Sequence, residues 1–192
     1  MASRQDWLRA AVQVFGRDGL EGVRVDPLAR GLGVTKGSFY WHFRDRADLL
    51  EALIDLWEEE TTWLITQASE ASGPYDRLLR FFQLISPARN YPSDREMFAW
   101  GRRSAQVRAR ANAVELKRVG FIEEQLLATG VSAPTAARRA EIAYLATLGW
   151  VERRGRSEAM DDSLGEFAEH LFPLMLAASK RSRSVTRARL KA

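Results

Sequence analysis

An all-α chain of about nine helices is predicted by three features of the sequence. Apolar residues recur at helical spacing along almost all of its 192 residues. Alternation with period two, bounded by Asn-Gly or Asp-Gly turns, is missing. Proline, glycine and serine gather at a few points that cut the pattern into helix-sized lengths.

Each element has its own signal. Trp7, Leu8, Ala11, Val12 and Phe15 make one apolar stripe, a first helix brought to an end by Gly16 and Gly19. Asp26 and Pro27 read as the cap and first residue of a short helix reaching about Leu32. Gly33 suits a tight turn, and Thr35 is placed to cap a second short helix from Lys36 to about Phe43. Asp45 is placed to cap a long helix whose stripe is Leu49, Leu50, Leu53, Ile54, Trp57, Leu64 and Ile65. Ser72-Gly73-Pro74 breaks the chain before a helix with Leu78, Leu79, Phe82 and Ile85 on one side. After a break from Pro87 to Pro92, the segment from about Asp94 carries Phe98, Trp100 and Val107. Leu116, Val119, Ile122, Leu126 and Leu127 mark a further helix that stops at Gly130. Ser132-Ala133-Pro134 opens a longer one to about Arg154, and the last runs from about Ser163 to Ser179.

Composition removes several function classes. With no cysteine there is no disulfide, thiolate metal site or cysteine nucleophile. Two histidines, His42 and His170, argue against a multi-histidine metal centre, and His170 is expected to be an ordinary surface or interface residue. No apolar run approaches the roughly 20 residues that cross a bilayer, and no secretory signal is expected, so the default compartment is the cytoplasm. No Glu-x-x-His pair, Gly-x-Ser-x-Gly elbow or phosphate loop supports an enzyme, so no catalytic residue, cofactor or metal is expected. The formal charge of +4 is unevenly placed. Residues 51–70 carry acids and no base, whereas 180–192 carry Lys180, Arg181, Arg183, Arg187, Arg189 and Lys191 and no acid. That basic stretch is expected to be a disordered tail; it lacks the apolar face that would insert in a membrane.

Two short helices joined by a tight turn and backed by a third make a helix-turn-helix, which lays its second helix in the DNA major groove. Leu28, Ala29, Val34, Phe39 and Phe43 supply the inner face, with Ala29 small enough for close helix approach. Lys36, Ser38, Tyr40, Trp41 and His42 are left for the outer face, a set suited to phosphates and base edges.

The run from Leu28 to Phe43, LARGLGVTKGSFYWHF, resembles the DNA-binding signature of the TetR family of bacterial transcriptional regulators. Phe15, Gly19, Leu28, Ala29, Gly33, Val34, Lys36, Gly37, Tyr40, His42, Phe43 and Leu49 all fall in register, over about residues 5–50. The resemblance implies that Thr35, Lys36, Gly37, Ser38 and Trp41 face bases or phosphates, and that Tyr40 and His42 hold phosphates. Arg46 stands where the family usually has a lysine that touches phosphate. Val23 and Arg24 depart from the usual Thr or Ser cap of the second helix, which leaves Asp26 to cap and Arg24 to reach phosphate by charge. Gly31 replaces a helix former, at a cost of up to about 1 kcal/mol.

The expected organisation is a helix-turn-helix domain over 1–47, a helical effector-binding and dimerisation domain over 48–179, and the tail. Trp100-Gly101, Val107, Arg118, the Leu127–Gly130 ending and Arg139-Ala140 resemble one common type of regulatory domain. The family implies a pocket, for which Trp63, Phe82, Phe98, Phe121 and Tyr144 are the candidate lining residues, with Arg102 and Arg103 as possible anchors for an acidic group. Ala140, Ala143 and Leu148 in the eighth helix, and Leu164, Phe167, Leu171, Phe172 and Met175 in the ninth, are the expected dimer interface, widened by Ile142 and Leu145. The expected function is a homodimeric repressor, released from a palindromic DNA operator by a small hydrophobic or aromatic effector. The alternative is a DNA-binding protein of the same fold without small-molecule control.

Overall fold

In a computed structural model, residues 2–85, 93–154 and 163–176 are described. Among them every regular element is a helix: α1 (Arg4–Gly22), α2 (Val25–Gly31), α3 (Lys36–Phe39), α4 (Arg46–Ser69), α5 (Pro74–Leu84), α6 (Asp94–Gly101), α7 (Ala105–Ala128), α8 (Ala133–Arg154) and α9 (Leu164–Leu176). The expected basic tail, the break from Pro87 to Pro92 and the end of the last helix lie outside the described residues.

Local chemistry sets most helix starts. Ser3 and Asp6 form a reciprocal capping box at α1: the Asp6 N–H donates to Ser3 Oγ at 3.2 Å, and the Ser3 N–H donates to Asp6 Oδ2 at 2.8 Å. Asp45 caps α4 by accepting from the Asp48 N–H at 2.9 Å. Pro74 opens α5, where its missing N–H costs nothing, and Ser104 caps α7.

Four expected boundaries move. Gly16 stays helical, and Gly19 (φ 67°, ψ −167°) kinks α1 without ending it, so the helix resumes to Gly22. The cap of α2 is Arg24, whose side chain makes no capping bond; Asp26 lies inside the helix. Thr35 is at the cap position of α3, but its hydroxyl does not cap, and regular helix stops at Phe39. From Thr35 to His42 the backbone closes through i to i+3 bonds (Ser38 to Thr35, Tyr40 to Gly37, His42 to Phe39), the tight pattern expected where glycine and a run of aromatics give little helical drive. Val107 belongs to α7, because the chain turns after Gly101 and restarts at Ser104.

Two apolar cores are strung along α4. The upper one joins Trp7, Phe15, Leu28, Phe39 and Phe43 to Leu49, Leu53 and Trp57, and is completed by Met97, Val107, Ala111 and Val114. It therefore continues across the expected 47/48 division. The lower core joins Leu64 and Ala68 to Leu78, Phe81, Phe82, Phe121, Ile122, Ala140, Ala143, Tyr144 and Phe172. α6 bridges from the lower end of the upper core to α1: Trp100 meets Phe15 edge-on, Arg103 pairs with Glu21 at 3.2 Å, and Glu96 closes on Gly19.

Candidate nucleic-acid interface

The turn between α2 and α3 is built by Gly33, at φ 68°, and closed by the Val34 N–H donating to the Ala29 carbonyl at 3.0 Å. Leu28, Ala29, Phe39 and Phe43 point inward and are buried, and Val34 is half-buried against them. Phe39 is the keystone. Its ring meets Trp7 at 5.2 Å edge-on and stacks on Phe43 at 5.3 Å, so α3 is fastened to α1.

With Phe39 fixed inward, its neighbours are forced out. Trp41 is 81% exposed and Tyr40 55% exposed. Arg24, Thr35, Lys36 and Gly37 are exposed beside them. Lys36 Nζ lies 3.2 Å from Asp26, an open pair that a phosphate can compete for. An indole left in water by a fully fastened helix has a surface to offer, and Lys36 and Arg24 give that surface positive charge.

Three expected contacts are placed differently. Ser38 turns its Oγ inward, where it is buried and meets no partner among the described residues. His42 is half-buried, and its Nε2 is 2.9 Å from the Ala2 carbonyl oxygen, tying the turn to the start of α1. Arg46 donates from Nε to the Val23 carbonyl and from Nη2 to the Leu20 carbonyl, both at 2.6 Å. Those carbonyls end α1, so Arg46 satisfies a helix terminus and favours its negative pole. Its planar fork is committed to the protein's own backbone.

The expected pocket aromatics are spread along the fold. Trp63 borders an open groove with Asp55, Glu58, Glu59, Thr62, Thr66 and Lys117. Phe98 stands in the upper core, edge-on to Trp57 at 5.9 Å, while Phe82 and Phe121 fill the lower core against Phe81. Arg102 and Arg103 are exposed, so neither anchors a buried group. The residues expected at the dimer interface divide by exposure. Ala140, Ala143, Leu164, Phe172 and Met175 are buried within the protomer, because they close the lower core. Leu148, Phe167 and Leu171 are half-buried, while Ile142 and Leu145 stand exposed on α8.

Between the two cores lies a polar seam that periodicity did not predict. Arg118 on α7 is buried, donating from Nη1 to Asp94 Oδ2 at 2.7 Å and from Nε to Thr61 Oγ1 at 3.1 Å. The Trp57 Nε1–H donates to the other Asp94 oxygen at 2.6 Å, and Arg118 also lies over the Trp57 ring. Burial works against the guanidinium charge, but the Asp94 carboxylate outweighs it and holds the Arg118 pKa above its ordinary value. Tyr144 is buried beside Arg118; desolvation raises its pKa, and its hydroxyl closes no hydrogen bond among the described residues. A buried arginine reads as an error in an apolar stripe unless its partner is known, and Asp94 is 24 positions away.

A helix-turn-helix on an all-helical frame, with an exposed cationic and aromatic outer face, makes the amino-terminal part a helix-turn-helix head, the arrangement that fits the DNA major groove. Residues 8–53 match the family described as "Bacterial regulatory proteins, tetR family". Over that segment, about a quarter of its length, the chain is similar to TetR-family regulators. It is 36% identical over 56 residues to the HTH-type transcriptional regulator AcrR of Shigella flexneri, a stretch that covers 29% of this chain and 25% of that protein. Over the whole fold it is similar to a TetR transcriptional regulator from Legionella pneumophila (TM-score 0.72, 14% identity, 88% of this chain and 97% of that one). It is likewise similar to the transcriptional regulator FadR from Bacillus subtilis in complex with stearoyl-CoA (TM-score 0.62, 17% identity, 91% and 98%). No helix among the described residues is long and apolar enough to cross a membrane.

Proposed function

We propose that the chain is a DNA-binding transcriptional regulator, acting as a homodimeric repressor that a small effector releases from a palindromic operator. The observation that carries the DNA-binding part is Trp41, 81% exposed, beside Tyr40 and Lys36 on a turn pinned from below by Phe39. In this reading the functional division is a head over 1–47 and an effector and dimer domain over 48–179. Lys36, Tyr40, Trp41, Thr35, Gly37 and Arg24 meet DNA, while His42 and Arg46 shape the head. Two heads meet half-sites whose spacing the dimer sets. An effector works only by preferring one head arrangement over the other. The buried polar seam, and the stearoyl-CoA complex named for the structurally similar Bacillus subtilis regulator, support ligand control. The ring-filled lower core, where Phe82 meets Phe172 at 5.0 Å and Phe81 meets Phe121 at 5.1 Å, favours the alternative without an effector.

The test is gel-shift binding to the duplex upstream of the chain's own gene. Lys36→Ala combined with Tyr40→Ala, and Trp41→Ala alone, are expected to weaken binding by about 1–3 kcal/mol each with unchanged thermal stability. Unchanged affinity in both would show that the recognition surface is elsewhere.

A further inference from the structure

We propose that the seam at Arg118 is a receptor for the carboxylate of an amphipathic organic acid, which takes the place that Asp94 occupies. This rests on the effector-controlled reading above and gives that effector a chemical class.

The groups that converge on the Asp94 carboxylate are donors. Trp57 Nε1–H serves one oxygen and the Arg118 guanidinium the other. Tyr144, 4% exposed, lies beside Arg118, and its hydroxyl is left without a partner among the described residues. Thr61 and the Trp57 ring fix the guanidinium plane. A planar acceptor with a negative charge satisfies this set; a neutral or cationic ligand would take from Arg118 the anion that it hydrogen-bonds. Glu60, 9% exposed, also faces Arg118, so the incoming acid replaces Asp94 rather than adding a further charge.

Asp94 is the exchangeable member. It is the first residue of α6, its side chain is 24% exposed while that of Arg118 is 7% exposed, and it can turn out to water. Ser93 gives α6 no side-chain cap, so Asp94 is what fastens this end of the helix. The half-buried Phe98, edge-on to Trp57, offers an apolar wall for the body of the ligand. The opposite end of α6 rests on α1 through Trp100 and Phe15 and through Arg103 and Glu21. Release of Asp94 therefore frees the helix that props the DNA-binding head.

The experiment uses the full chain without DNA. Phenylacetate, benzoate and decanoate are titrated by calorimetry and by tryptophan emission, with phenylacetamide and benzamide as neutral controls. At least one carboxylate is expected to bind saturably, and the amides about tenfold more weakly or worse. Asp94→Asn keeps the shape but removes the competing charge, and is expected to tighten carboxylate binding about tenfold, because the competent site is then populated. Arg118→Gln is expected to abolish it, and Trp57→Phe to remove most of the emission change. The proposal is overturned if no carboxylate binds the Asp94→Asn variant more tightly than the parent, or if the amides bind as well as the acids. Gel shifts of the ligand-free protein test the regulator reading separately, so the two failures are told apart.

Discussion

Trp100 in α6 meets Phe15 in α1 edge-on, with ring centroids 6.2 Å apart at 61°. Phe15 is fully buried in the upper core, and Trp100 is half-buried at the margin of that core. The pair joins the helix that carries Asp94 to the helix that backs the recognition turn.

A double-mutant cycle with Phe15→Leu and Trp100→Leu is expected to give a coupling of about 0.5–1.5 kcal/mol in urea unfolding, the range for aromatic pairs in contact. Additive effects would show that the two rings do not transmit strain.

Arg46 is expected to act on folding. Arg46→Ala removes two bonds to the Leu20 and Val23 carbonyls and should cost about 1.5–3 kcal/mol. Arg46→Lys should restore little, since one ammonium cannot span both acceptors as the fork does. The slope of DNA affinity against salt should stay the same in Arg46→Ala. A change in slope of about one would instead identify a phosphate contact.

Arg110 on α7 is clamped by Glu51, Asp55 and Glu58 of α4. The hydrogen bond from Arg110 holds the Glu58 pKa below its ordinary value of 4.5. A depressed carboxylate pKa stabilises the folded state above the unfolded value, and the contribution is lost as pH falls through the lower folded value. Arg110→Gln should therefore cost about 1–2 kcal/mol at pH 7, with its partly exposed partners limiting the effect. The gap between parent and variant should close as the pH is lowered from 5 to 3 in urea titrations. A gap independent of pH would assign the loss to packing of the arginine stem.

Ile142 and Leu145 are 46% and 62% exposed on α8. Leu145→Glu and Ile142→Glu are expected to leave protomer stability within about 0.5 kcal/mol while converting dimer to monomer in sedimentation velocity. Ala143→Glu is expected to unfold the protomer, since Ala143 is fully buried in the lower core. A dimer that survives both α8 surface changes would place the partner face elsewhere.

The head was legible because its signals are local. Gly33 at a left-handed turn, the Phe39 and Phe43 spacing and the Asp45 cap are set by residues within a few positions of each other. The exposed face of the turn was legible where it followed from these: burying Phe39 sends Tyr40 and Trp41 outward. Ser38, His42 and Arg46 were not, since each turns on a partner or packing surface that side-chain type does not reveal; His42 reaches Ala2 and Arg46 reaches Leu20. The α8 and α9 stripe was legible as apolar, but not which of its residues the protomer itself would bury.

By itself the sequence determined the helical class, the order of the helices and the turn that exposes Tyr40 and Trp41, because spacing, caps and glycines act over one or two turns of chain. Only the tertiary structure decided that Arg46 is a helix brace, that Ala143 lies inside while Leu145 lies outside, and that Arg118 meets Asp94 between two cores. Those outcomes depend on which distant backbones approach, and a buried charge takes its meaning from the partner that the fold brings to it.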